Sequence, residues 1–248
     1  MIISFDDYKK RISDYIDKNE LILYRGQSSC DWNLAPTFSR FCSNNGERFD
    51  IDHFNLLLGD FINEASCFLE KDLTDNLDYL QKVALAQHYG LPTPFLDWTD
   101  SPYIATFFAI ANRTIKDTEP FRIWALKVKK NADYYLQNAK DMELENDFYI
   151  VSTKFFDSKR LRRQRGYFSY LRKDMALEEY LEKNKPDIKL VSYDICGDSW
   201  LSIMRELRLM GISHNNLFDN LDGIATDVSL DFLHNRRAGI TLKNRDSK

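Results

Sequence analysis

The sequence predicts a single α+β domain with a helix-rich first half and a small mixed or antiparallel sheet. Three observations predict it. Apolar residues recur at helical spacing through most of the first half, as in Phe54, Leu57, Leu58, Phe61, Ile62, Ala65 and Phe68. The pattern then changes to short alternating runs such as Arg122–Val128 (RIWALKV), which read as strands. No internal repeat, low-complexity stretch or Pro/Gly-rich linker divides the chain.

In order along the chain, Met1–Lys18 reads as an amphipathic helix with Ile3, Tyr8, Ile12, Tyr15 and Ile16 near one face, so residues 1–19 are expected to form an N-terminal helical segment. Glu20–Gly26 reads as a buried strand that delivers Arg25 to a glycine. Helices are expected over Asp52–Lys71 and over Leu77–Tyr89, the second stopped by Gly90 and Pro92. A third is expected over Pro102–Asn112, with Pro102 at a first position where a missing N–H costs nothing and Asp100 or Ser101 as its cap. Lys189–Tyr193 and Gly166–Leu171 read as strands. Trp200–Gly211 reads as a helix followed by a loop through Asn215, Asn216 and Leu217. Asp219 or Asn220 is then expected to cap a last helix over Leu221–Leu233, which leaves residues 234–248 as a polar tail.

Composition narrows the function. The 248 residues carry 34 basic and 38 acidic side chains, a formal net charge of −4, which argues against a nonspecific nucleic-acid binder. No apolar run approaches the ~20 residues of a membrane span, and the N-terminus lacks the basic-then-apolar order of a secretory signal. Cys30, Cys42, Cys67 and Cys196 are scattered, without metal-ligand spacing. Reduced structural thiols, no metal site and a cytoplasmic location are the expectation.

Candidate chemistry concentrates in three places. Arg25, at a strand end beside Gly26 and Gln27, offers a fixed fork of donors for a diphosphate or carboxylate, or for a structural partner such as Asp97. Gly26 would let a ligand approach the main chain. At the junction 87–102, His88 could act as acid or base or hold a ligand, and Asp97 could orient it. Tyr89 and Trp98 offer faces for an aromatic base, and Thr99 stands near a helix start. The third place is Lys159–Arg165, five cations in seven residues, which could bind phosphates or simply form a solvated face. Within it, Gln164 can both donate to and accept from a ligand hydroxyl.

Four segments together resemble one family. They are Tyr24-Arg25-Gly26-Gln27 with Trp32, Leu34, Pro36 and Arg40; Ala86 to Thr93 followed by Leu96 to Ala109; Arg160 to Phe168; and Gly211 to Gly223. Over about residues 20–230 they look like the signatures of the FRG domain, placed here at 20–233. A hydrophobic strand ending Tyr-Arg-Gly also resembles the first motif of arginine-type ADP-ribosyltransferases. Asp97-Trp98-Thr99 stands where those enzymes carry Ser-Thr-Ser.

That likeness implies an ADP-ribosyltransferase-like fold and NAD as co-substrate, with transferase or NAD glycohydrolase activity of the kind found in toxins and antiviral effectors, acting on a macromolecular acceptor. It implies Arg25, His88 and Gln164 as catalytic residues. Arg25, Gly26, Gln27, Tyr89, Asp97, Trp98 and Thr99 are implied to contact the nucleotide. The glutamate of those enzymes has no counterpart beside Gln164-Arg165-Gly166, and Glu178, Glu179 and Glu206 are its candidates from elsewhere. The alternative is a non-enzymatic nucleotide- or nucleic-acid-binding domain using the basic run.

Overall fold

An eight-stranded mixed sheet in the order β1-β8-β4-β2-β3-β7-β6-β5 forms the frame. It is seen in a computed structural model that describes residues 1–13, 20–68, 76–130, 132–136, 144–153, 158–185, 187–218 and 220–237. The strands are β1 (Ile2–Ile3), β2 (Glu20–Gln27), β3 (Phe95–Thr99), β4 (Phe121–Lys129), β5 (Tyr135–Leu136), β6 (Phe148–Ser152), β7 (Gly166–Leu171) and β8 (Lys189–Ile195). The helices are α1 (Phe5–Ser13), α2 (Thr37–Asn44), α3 (Ile51–Ala65), α4 (Tyr79–His88), α5 (Pro102–Ile110), α6 (Lys159–Arg163), α7 (Leu177–Asn184), α8 (Trp200–Leu209), α9 (His214–Phe218) and α10 (Leu221–Arg237). The end of the expected first helix, the Asp219 cap and the tail from residue 238 lie outside the described residues.

The single α+β domain stands, with two corrections. The sheet is not small, because short strands at both of its edges extend it: β1 joins β8 and β5 joins β6, both in parallel, while the other ladders are antiparallel. Helices α8 and α10 stand where the sequence placed them, and the second half adds α6 and α7. The loop expected through Asn215–Leu217 is helix α9, whose start is tied down by Asp227 accepting from the amides of His214 (3.1 Å) and Asn215 (3.0 Å).

Local chemistry sets the ends of the elements that matter for the site. Asp78 and Gln81 form a reciprocal capping box at the start of α4, satisfying two amides that the helix itself leaves free. Ser101 accepts from the Ile104 amide and caps α5. Gly90 adopts φ 91° just beyond α4, a left-handed conformation that turns the chain toward β3.

Alternation along the strands divides the core. Phe95 and Phe168 face α3 and α4 within one apolar cluster, and Tyr24, Ile123 and Tyr193 face α5 and α8 within a second. Both clusters lie on the same side of the sheet, because Tyr24 registers with Thr99, which shares a strand face with Phe95. Leu23, Leu96, Trp98 and Leu126 point to the other side, where α7 covers them. Between the two same-side clusters, β2 and β3 pair only at Tyr24 and Thr99 and then diverge. The space above that divergence is the candidate site.

Candidate functional site

A cavity of about 630 Å³ opens over β2, β3 and β7, walled by α4, α5 and α6. Its size lies within the usual range of small-molecule sites, about 300–1,000 Å³. Arg25 reaches it from β2, His88 from α4, Asp97 from β3, and Arg160 and Gln164 from α6 and its cap. Residues far apart in sequence, Arg25, His88 and Gln164 among them, therefore border one space.

Arg25 enters through the gap between strands. Its Nη1 donates to the Asp97 main-chain oxygen at 2.8 Å, where the β2–β3 ladder has opened, and lies 3.8 Å from Asp97 Oδ2. Burial pulls the guanidinium's pKa down from its usual value and Asp97 opposes that pull. Its Nε is buried without a partner. The guanidinium is thus both a tie between two strands and a cation bordering the cavity.

Asp97 is the one carboxylate that lines the cavity among the described residues. Its side chain is 64% exposed and borders the cavity. Desolvation raises its pKa, while Arg25, Arg160, a backbone hydrogen bond and Gln87 hold it down. Gln87 Nε2 donates to Oδ1 at 2.7 Å.

Arg160 belongs to the basic run and is the member whose guanidinium turns inward. It stacks over the Phe218 ring at 4.9 Å and approaches His88 Nδ1 at 3.5 Å. A guanidinium has no acceptor, so Nδ1 accepts and the ring proton sits on Nε2. Desolvation, with Arg160 adding to it, lowers the His88 pKa and favours this neutral form. The run's other cations diverge: Arg165 pairs with Asp100 at 2.5 Å and Arg163 points to the Asn216 carbonyl at 3.4 Å.

Gln164 caps α6, with its amide 3.4 Å from the Leu217 carbonyl. Arg165, the next residue, has φ 50°, an uncommon conformation for a residue with a side chain. It turns the chain from α6 into β7.

Two expected ligand contacts, Gln27 and Tyr89, lie outside the cavity lining, and two others are buried in its wall. Gln27 is buried and bonded to Trp124 Nε1 (2.7 Å) and the Asn33 carbonyl (3.1 Å), outside the cavity lining. Tyr89 is 61% exposed and packs against His88 and Phe61 beyond the rim. Trp98 borders the cavity but is 3% exposed, with its ring packed in the cluster on the far face and its indole N–H donating to Ser169 Oγ at 2.9 Å. Thr99 also borders the cavity, 3% exposed, and its hydroxyl accepts from the Ser101 amide.

Gly26 does border the cavity, but what approaches its main chain is α5. A Cβ there would stand 2.0 Å from the Ala105 carbonyl oxygen. Glu178, Glu179 and Glu206 are engaged with Leu34, Lys183 and Lys9, away from the site.

The sequence reading missed Arg160 as an individual and gave no role to the Gln87 amide. A signal for the α4 wall was present: Gln81, Ala84, Leu85 and His88 recur at i, i+3, i+4 and i+7 and line one side.

The arrangement defines a class: an α+β domain with an open, mostly apolar cavity bordered, among the described residues, by two arginines, one carboxylate and a neutral imidazole. Residues 20–118, a span that runs from β2 past α5, match the family model of the FRG domain. That span holds Arg25, His88 and Asp97 and ends before Arg160 and Gln164. No curated protein and no solved structure matches the chain.

Proposed function

We propose that the cavity binds a pyridine dinucleotide and that the protein cleaves its nicotinamide–ribose bond, as an ADP-ribosyltransferase or NAD glycohydrolase. One observation carries the reading: the Arg25, Asp97 and Gln164–Gly166 segments lie on or beside three adjacent strands, β2, β3 and β7, around a single cavity. These are the segments whose order resembles the motifs of NAD-using transferases.

Two guanidiniums on different walls suit a diphosphate, which each can grip bidentately. Phe108 on α5 and Phe168 on β7 supply apolar wall beside them for a ring. Gln164 stands where a ribose hydroxyl could be met by a neutral donor and acceptor.

The test is direct. Purified protein incubated with NAD is expected to release nicotinamide, followed by chromatography, and to bind ADP-ribose in calorimetry. Absence of both release and binding rejects the reading.

A further inference from the structure

Gln87 lies near the end of α4 with its amide held between two partners. The Thr93 hydroxyl donates to Gln87 Oε1 at 2.5 Å, and Gln87 Nε2 donates to Asp97 Oδ1 at 2.7 Å. Thr93 is fully buried. Its amide is bonded to Thr37 Oγ1 at 2.9 Å, and its hydroxyl oxygen faces the Phe95 amide at 3.4 Å. A hydroxyl has one proton, and with the Phe95 N–H directed at its oxygen that proton goes to Gln87. The amide therefore cannot turn over without setting its carbonyl oxygen against the Asp97 carboxylate. One carboxylate oxygen is fixed by this chain and the other, Oδ2, is left facing Arg25 and the cavity.

We propose that Gln87, oriented by Thr93, is a positioning residue that holds Asp97 as the ligand-facing carboxylate of the site, with Oδ2 the oxygen that meets the reacting ribose. The proposal rests on the dinucleotide reading above, and gives Asp97 the role for which no glutamate is present at the cavity. In hydrolysis the bond between the ribose anomeric carbon and the nicotinamide nitrogen breaks, and its electron pair leaves on nitrogen, cancelling the pyridinium charge. The carbon becomes cationic, and a carboxylate beside it stabilises that charge. The oxygen of a water molecule then bonds to the anomeric carbon. Its proton passes to Oδ2 and on to solvent, so that NAD and water yield ADP-ribose, nicotinamide and one proton.

The titratable groups that share the cavity with Asp97 are Arg25 on β2, Arg160 on α6, His88 on α4, and the phenols of Tyr24 and Tyr167. Only His88 titrates near neutrality, so a His88→Gln background separates it. The experiment is a carbon-13 carboxyl titration of Asp97, assigned with Asp97→Asn, in that background and in its Gln87→Leu, Thr93→Val and Thr93→Ser derivatives. Removing a hydrogen bond to the charged form is expected to raise the Asp97 midpoint by about one pH unit in Gln87→Leu. Thr93→Val is expected to raise it less, because the amide is freed rather than removed, and Thr93→Ser to restore the parent value. With His88 retained, the acid limb of nicotinamide release in the same derivatives is expected to move with the midpoint, with kcat falling by a larger factor than KM changes.

An unmoved midpoint in Gln87→Leu overturns the proposal. If that variant does not fold, an unmoved midpoint in Thr93→Val overturns it. A shifted midpoint, together with an unsubstituted protein that never cleaves NAD, supports the positioning of Asp97 and rejects the dinucleotide reading. NAD cleavage with an unshifted acid limb does the reverse.

Discussion

At the scale of the residue, the site's behaviour turns on which groups are charged. His88 has its pKa lowered from the ordinary 6.5, first by desolvation and then by Arg160, so the folded protein resists protonating it. The unfolded chain does not. As pH falls through about 6.5 the unfolded state takes up the proton first, and stability is lost from there down to the depressed native value. Above that window His88 contributes no pH dependence. Urea unfolding between pH 5 and 7.5 is therefore expected to show a stability loss toward acid that is smaller in His88→Gln, and equal slopes in the two proteins would reject this account. His88 and Arg25 were legible as polar residues at the ends of apolar elements. Arg160 was not, because one cation in a run of five gives no sign of which guanidinium a helix will turn inward. Nor did the indole of Trp98 reveal its face: a tryptophan beside an aspartate looks like a binding surface until strand alternation places it opposite.

At the scale of the element, the site depends on how closely β2 and α5 approach. Beyond the Ala105 carbonyl oxygen, a Cβ on Gly26 would stand 2.8 Å from the Ala109 amide nitrogen and 2.9 Å from its Cβ. Neither helix backbone atom can move aside as a flexible side chain would. Gly26→Ala is expected to lower stability by about 1–3 kcal/mol, the usual cost of overpacking, and to widen the gap that Arg25 bridges. Denaturant unfolding checks the first effect, and weakened ADP-ribose binding by calorimetry checks the second. Unchanged stability would show that α5 can shift freely. Strand β2 was legible because Leu21–Tyr24 is an apolar run leading to Arg25 and a glycine, and β7 because Gly166 opens an aromatic run. Strand β3 was not, since Asp97 interrupts its apolar pattern and the stretch read as a junction between helices. Helix α9 was hidden for a different reason: HNNLF has poor helical propensity, and tertiary bonds from Asp227 hold its first turn.

At the scale of the whole molecule, the cavity exists because the sheet carries two apolar clusters on one side and opens between them. That could not be read locally, because the ladders joining β1 to β8 and β2 to β4 pair segments distant in sequence, and no periodicity within a strand reports its neighbour. The same layout fixes what ligand binding does to the fold. A ligand gripped by Arg25 and Arg160 bridges walls built from β2 and α6, so binding links the two clusters and stabilises the native state as a whole. Binding linkage gives about 2.7 kcal/mol at ligand a hundredfold above its dissociation constant. For a chain of 248 residues, each kcal/mol moves the melting midpoint by about 2–4 °C, so a rise of about 5–11 °C is expected with saturating ADP-ribose. Arg25→Lys keeps a positive charge at the gap but loses the fork, and is expected to melt within a few degrees of the parent without ligand while losing most of the ligand-induced rise. An Arg25→Lys protein that keeps the full rise would place the diphosphate away from β2 and leave Arg25 as a strand tie alone.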